Sequence, residues 1–253
     1  MSLPFGATRS IITSRYALMS PTGFVPSILP GWTNAHSVII VSPQMGARFC
    51  QLLITLTPAG EGRGFTGDHE YFMFVVSGSV VVEHGGRLHG AREIHLAKGG
   101  YFYIPPQHSY RVWANCAEAH LLIFERIYER LGESHAPPPM AGNETEVEAA
   151  PFMGDEGAML KTLLPDTMDY DMAVNIFTFQ PGATLPMVET HIMEHGLLLI
   201  QGQGIYRLDN DWHPVQEGDA IWMAPYCPQW FVATGKTPAR YIYYKDVNRS
   251  PAH

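Results

Sequence analysis

Short runs of apolar, β-branched and aromatic residues recur along the chain. LLITLTP (52–58), YFMFVVSG (71–78), YFYIPP (101–106) and HLLIFERIY (120–128) come first. MAVNIFTFQPG (172–182), GLLLIQGQG (196–204), AIWMAP (220–225) and ARYIYYKD (239–246) follow. Glycine and proline punctuate them, and helical periodicity is nearly absent; only TEVEAA (145–150) offers a turn or two. Short strands at regular spacing with Gly/Pro turns predict an all-β fold of antiparallel sandwiches or barrels.

One stretch breaks the pattern. ESHAPPPMAGNETEVEAAPFMGDEG (133–157) is rich in Pro, Gly, Ala and acids, and reads as a linker. The sequences on its two sides resemble each other. FVVSGSVVVEHGG (74–86) aligns with LLIQGQGIYRLDN (198–210), placing Gly78 on Gly202. KGGYFYIPP (98–106) aligns with EGDAIWMAP (217–225), placing Gly99 on Gly218. The two offsets, 124 and 119, differ by five residues that fall in one hairpin. Recurrence in the same order, with slippage confined to a loop, indicates duplication. Each copy reads apolar run, Gly, hairpin, Gly-Gly or Gly-acid, apolar strand, Pro. That pattern resembles the cupin superfamily, which implies a bicupin of two tandem double-stranded β-helix (jelly-roll) barrels. The expected layout is a strand extension over 1–48, a first barrel over 49–130, a linker over 131–157 and a second barrel over 158–253.

Composition narrows the class. Of 253 residues, 46% are hydrophobic and 16% charged, enough for a core and too apolar for a disordered chain. The formal charge of −8 lacks the basic footprint of a nucleic-acid binder. Cys50, Cys116 and Cys227 form no C-x-x-C pair, so neither a disulfide framework nor a thiolate zinc site is expected. No run of 18 apolar residues would cross a membrane, and residues 1–20 lack the apolar core of a signal peptide. A cytoplasmic location is the expectation.

The chemistry concentrates in the second copy, in MVETHIMEHGLLLIQGQG from Met187. Read as a strand, alternation places Met187, Glu189, His191, Met193 and His195 on one face and Glu194 on the other, outward face. Gln229, in YCPQWFV, falls where cupins take their last metal ligand. Two imidazoles, a carboxylate and an amide oxygen form a hard-to-borderline set without thiolate. Such a set suits Mn²⁺ or Fe²⁺, with zinc possible. Four protein ligands on an octahedral ion leave two positions for water or substrate. The bland alternative is a polar strand face turned to solvent.

The first copy carries Phe65, Gly67, Tyr71 and Tyr110 at the four ligand positions, so no metal is expected there. His69 stands alone on that face. His84, His89 and His95 fall in or near the longer hairpin and read as surface, and His108 aligns with Cys227. Tyr206 and Leu208 share a face in GIYRLDN, as do Tyr241, Tyr243 and Lys245 in ARYIYYKD. A lysine among aromatics calls for an anionic partner, such as a carboxylate-bearing ligand, unless it reaches water at the strand's open end. Tyr206 and Tyr241 fit a site or a core equally well.

The segment ETHIMEHGLLLIQGQGIYRLDNDWHPVQEGDAIWMAPYCPQWF, with YIYYKDVNR and the N-terminal SRYALMSPTGFVPSILPGW, resembles the (S)-ureidoglycine aminohydrolases of purine (allantoin) degradation. The likeness covers nearly all of the chain outside the linker. It implies a manganese-dependent bicupin hydrolase with one ion per chain, held only in the C-terminal barrel by Glu189, His191, His195 and Gln229. It implies an aminohydrolase of the linear amidine/ureido C–N class, converting (S)-ureidoglycine and water to (S)-ureidoglycolate and ammonia. Tyr206, Tyr241 and Lys245 take the family's substrate-contacting positions, and Glu189 is the candidate for proton transfer. The implied partners are a small-molecule substrate and a homo-oligomer, with no nucleic acid and no membrane. The rival classes are bicupin dioxygenases or isomerases, which more often carry three histidines, and ligandless storage or sensor cupins.

Overall fold

The computed structural model describes residues 8–85 and 92–249. These form two compact units, one of Val25–Glu146 and one of Val147–His253 together with the N-terminal stretch up to Phe24. Among the described residues the only helices are three single 3₁₀ turns, Pro21–Gly23, Pro43–Met45 and Glu144–Glu146. The last is what TEVEAA contributes. No helix among the described residues is long and apolar enough to cross a membrane.

In the first unit, antiparallel strands neighbour one another in the order Met140–Asn143, Gly100–Ile104, His69–Ser77, Ala119–Ile127, Cys50–Phe65, Ser109–Ala114, Ser79–Gly85 and Arg92–Ala97. Trp32–Val41 also pairs with Cys50–Phe65. The second unit repeats the plan. Ala220–Met223, His195–Gln201, Ala239–Asp246 and Met172–Phe179 succeed one another as the inner four strands of its large sheet. A three-stranded sheet of Asp211–Gln216, Gln203–Leu208 and Gln229–Thr234 matches the hairpin and partner strand of the first unit. The chain is therefore a bicupin of two jelly-roll barrels.

The glycine anchors show why the duplication stayed legible. Gly78 and Gly202 adopt φ of +78° and +76°, and a Cβ on either would lie 2.4 or 2.6 Å from a carbonyl oxygen, of Glu118 or Pro238. Both the left-handed turn and the close backbone approach exclude a side chain. Gly202→Ala is expected to destabilise the second unit by at least about 1–2 kcal/mol from the left-handed penalty alone. Thermal unfolding checks this, and an unchanged midpoint would contradict it.

The cores differ in character. Leu52, Ile54, Val75, Val82, Val112, Leu121 and Ile123 make an aliphatic interior in the first barrel. In the second, Phe177, Phe179, Tyr206, Phe231, Tyr241 and Tyr243 bring aromatic rings and phenols inside.

Two boundaries depart from the sequence reading. Residues 1–48 are not one extension. Ile11–Ile12 and Tyr16–Met19 join the sheet of the second unit, whereas Trp32–Val41 belongs to the first. Residues 131–157 are not a plain tether either. Met140–Asn143 caps the edge of Gly100–Ile104, and Ala150–Phe152 forms a hairpin with Asp155–Thr162 through left-handed Met153 and Gly154. Edge pairing uses main-chain groups, so a side-chain composition that looks like a linker does not forbid it.

Candidate metal centre

The second barrel encloses a cavity of about 120 Å³, lined by Glu189, His191, His195, Gln229, Tyr206, Tyr241, Tyr243 and Lys245, with Phe152, Phe177, Met193, Leu197 and Met223 as its apolar wall. All seven residues singled out from the sequence are among them. Phe152 comes from the presumed linker, and composition held no sign of it.

The segment carrying the ligands is not a strand. The strand begins at His195, and Glu189 makes only an isolated two-way bridge with Gln229, N to O at 2.8 and 2.9 Å. Tyr226 N donates to His191 O at 2.7 Å, and Glu194 N to the Asp246 carboxylate at 2.7 Å, pinning the intervening chain. The departure has a geometric reason. Four residues of extended chain span about 13 Å, yet His191 Nε2 and His195 Nε2 stand 3.0 Å apart. Only a folded segment brings them together.

Each imidazole is oriented through its other nitrogen. His195 Nδ1 donates to the Tyr244 carbonyl and His191 Nδ1 to the Met193 carbonyl, both at 3.2 Å. A carbonyl only accepts, so both protons sit on Nδ1 and both Nε2 atoms present lone pairs. Burial pushes the His195 imidazole down to about 3, helped by His191, and burial likewise lowers His191. Two neutral rings thus aim lone pairs at one another across 3.0 Å, an arrangement that a cation satisfies. Adjacent ligands at about 2.1 Å on an octahedral ion stand about 3.0 Å apart. A tetrahedral ion with the same bond length would hold them about 3.4 Å apart.

The Gln229 amide lies 3.0 Å from His191 Nε2, and Tyr206 donates to its other end at 3.4 Å. Turned over, the amide presents Oε1 to the same point, since its N and O ends exchange by rotation. Glu189 lines the same cavity, its carboxyl pushed up by burial and pulled back by Lys245. Among the described residues no three His, Cys, Asp or Glu side chains gather into a metal cluster. The convergent donors are two imidazoles and an amide, with the carboxylate beside them.

Lys245 is the direct cross-strand partner of His195 and so shares its face. Tyr206 and Tyr241 are buried in the cavity wall with their rings 6.2 Å apart. Glu194 turns away from the cavity as expected, but the outward face is covered and not a surface or interface position: the residue is fully buried, its carboxylate accepting from Trp222 Nε1 at 3.3 Å.

In the first barrel, Phe65 is 55% exposed and Gly67 occupies a left-handed turn. Tyr71 and Tyr110 pack ring against ring at 5.6 Å. His69 Nδ1 pairs with Glu125 at 2.8 Å, and the same carboxylate accepts from Tyr71. His84 is half-buried, its ring packing on Phe102 at 4.8 Å. His95 is exposed, His108 Nδ1 donates to the Pro106 carbonyl at 2.8 Å, and His89 lies outside the described residues.

Residues 175–244, most of the barrel that holds this cavity, match the cupin domain family. Over 97% of its length the chain is 39% identical to the (S)-ureidoglycine aminohydrolase of Arabidopsis thaliana, covering 80% of that protein. Over 96% it is 36% identical to the (S)-ureidoglycine aminohydrolase of Escherichia coli strain K12, covering 93% of it. The chain belongs to the (S)-ureidoglycine aminohydrolase family. The crystal structure of the E. coli protein Ylba superimposes with a TM-score of 0.86 at 33% identity, covering 98% of this chain and 97% of that one. In this chain the polar cavity lies in the barrel with the more aromatic interior.

Proposed function

We propose that the second barrel hydrolyses (S)-ureidoglycine to (S)-ureidoglycolate and ammonia. The observation that carries this reading is the cavity that joins two lone-pair imidazoles, a half-buried carboxyl and a lysine ammonium in a chain of this family. Glu189, His191, His195 and Gln229 would hold one divalent ion, and manganese suits their oxygen and nitrogen donors. Such an ion supplies Lewis acidity and a template for the reacting carbon.

The rest of the mechanism belongs to the chain's own groups. Lys245 has no hydrogen-bond or ion-pair partner among the described residues, and it pairs with the substrate carboxylate as a charge-assisted contact. Tyr206 and Tyr241 hydrogen-bond the substrate and hold it in a reactive pose. The reacting carbon bears an amino group and a ureido nitrogen. Its C–N bond to the amino group breaks as a C–O bond to water forms. Glu189, whose burial raises its proton affinity, takes a proton from the water and returns it to the departing ammonia. Three free cysteines fit a reducing, cytoplasmic setting, and a homo-oligomer is part of the same proposal.

The test is ammonia release from freshly generated (S)-ureidoglycine by metal-stripped protein reloaded with Mn²⁺. Rapid, manganese-dependent release supports the reading. One ion bound per chain without release above the spontaneous rate removes the substrate assignment, and oxygen uptake with substrate would point to an oxygenase. Lys245→Ala is expected to lower kcat/KM on the order of a hundredfold, the scale of a lost hydrogen bond to a charged group. A near-normal kcat/KM would remove the carboxylate-pairing role.

A further inference from the structure

Tyr243 also faces the cavity, and neither the family resemblance nor the roles above use it. It sits two residues before Lys245 on the strand Ala239–Asp246, so both side chains leave the same face about 7 Å apart. Its ring is clamped, stacked on Phe177 at 5.6 Å and 11° and edge-on to His195 at 5.5 Å and 80°. Its cross-strand partner is Asn175, a buried amide on Met172–Phe179 that donates from Nδ2 to the Tyr243 hydroxyl at 3.1 Å.

That bond decides what the phenol can do. An oxygen that accepts from Asn175 keeps its own O–H to give elsewhere. No acceptor for that proton is found among the described residues. Asn175 Oδ1 itself is buried without a partner, so the amide holds the phenol through its donor end alone. A phenol is protonated at neutral pH, so the group remains a donor. The Tyr241 ring packs edge-on to Tyr243 at 5.9 Å.

We propose that Tyr243 donates its phenolic hydrogen bond to the substrate carboxylate beside Lys245, with Asn175 as the positioning residue that turns the O–H toward the cavity. The two donors then bind the two oxygens of one carboxylate, an ammonium supplying charge and a rigid phenol supplying direction. This recognition of an α-carboxylate rests on the proposed reaction, because (S)-ureidoglycine and (S)-ureidoglycolate carry the same carboxylate and differ at the reacting carbon.

The manganese-loaded full-length enzyme tests this with (S)-ureidoglycolate as the probe, through its product-inhibition constant, alongside KM and kcat for (S)-ureidoglycine. In Tyr243→Phe, the inhibition constant and KM are expected to rise about tenfold or more, the scale of a hydrogen bond to a charged acceptor. The kcat should change less than about threefold, with metal content as in the wild type and the melting temperature lowered by a few degrees, because the buried Asn175 amide loses its acceptor. Asn175→Asp, an acceptor that draws the phenol proton onto itself, should weaken product binding similarly although the phenol is still present. The double variant should add little to either single one. An inhibition constant within twofold of wild type in Tyr243→Phe overturns the proposal, as does a loss confined to kcat, which would place the phenol at the reacting carbon. Absence of ammonia release by the wild type overturns the reaction reading, and this proposal with it; release by the wild type with an unmoved inhibition constant overturns this proposal alone.

Discussion

The His195→Ala protein is expected to lose its bound manganese and to release ammonia no faster than the spontaneous rate. His195 is the side chain on which the site's geometry converges. It opens its strand, its Nδ1 is held by the Tyr244 carbonyl, and its Nε2 faces His191 at 3.0 Å. Removing a supporting partner behind a metal ligand already costs about 10–100-fold in affinity, so removing the ligand should cost at least on the order of a hundredfold. Metal analysis after dialysis and an ammonia assay check both halves. Full retention of one ion per chain would show that His195 is no ligand.

The same substitution makes a second prediction for metal-free protein, with a fixed sign. Burial lowers His195 from its ordinary value of 6.5 to about 3 in the folded state. The unfolded chain therefore binds the proton first as pH falls. The contribution of neutral His195 is fully present above about pH 6.5 and is lost progressively as pH drops toward 3. The metal-free wild type should lose stability across that window more steeply than His195→Ala. Denaturant titrations at a series of pH values measure the difference, and parallel curves would contradict the burial argument.

What the sequence disclosed follows from how strongly backbone geometry constrains residue choice. Gly78 and Gly202 repeat because no side chain fits beside Glu118 O and Pro238 O, so the duplication stayed readable in single letters. Alternation along Gln203–Leu208 and Ala239–Asp246 correctly turned Tyr206, Tyr241 and Lys245 to one side, since both are regular strands lining a barrel. The same rule misdescribed residues 187–194. Their apolar and polar positions come in runs of two and three and do not alternate, and the chain is held by the Glu189–Gln229 bridge and the His191–Tyr226 bond, not by a ladder. The candidate ligands emerged through the family resemblance despite the wrong local conformation. Glu194 was misplaced because alternation gives direction and not cover; it turns from the cavity into a buried partnership with Trp222. Phe152 and the Asn175–Tyr243 pair were invisible because each depends on a tertiary contact between distant segments.

The N-terminal stretch carries the largest effect of this kind, since deleting residues 1–24 is expected to prevent the second unit from folding and binding metal. Among the described residues Tyr16–Met19 is the only strand flanking Ala220–Met223 on its outer side, and Ala220–Met223 supplies Met223 to the cavity wall. Tyr16, Ala17 and Leu18 are buried, and each large apolar side chain contributes about 1.5–3 kcal/mol. Tyr16 donates to Asp211 at 2.6 Å and accepts from His213 at 3.1 Å, while Arg15 reaches Asp209 and the Tyr226 carbonyl. Arg9 forms a bidentate pair with Asp219, at 2.7 and 3.1 Å. Asp219 is fully buried and Arg9 37% exposed, and the carboxylate keeps its bond from Gln216 N, so removing the arginine falls at the lower end of the roughly 3–5 kcal/mol typical of a broken buried pair. The combined loss reaches the whole stability of an ordinary domain, about 5–15 kcal/mol. Arg9→Ala isolates one part of it in a chain that keeps its strand. At about 3 kcal/mol, with about 2–4 °C per kcal/mol for a protein of this size, its melting temperature should fall by roughly 6–12 °C. A truncated protein that melts like the wild type and still binds one manganese would show that these strands decorate the barrel instead of completing it.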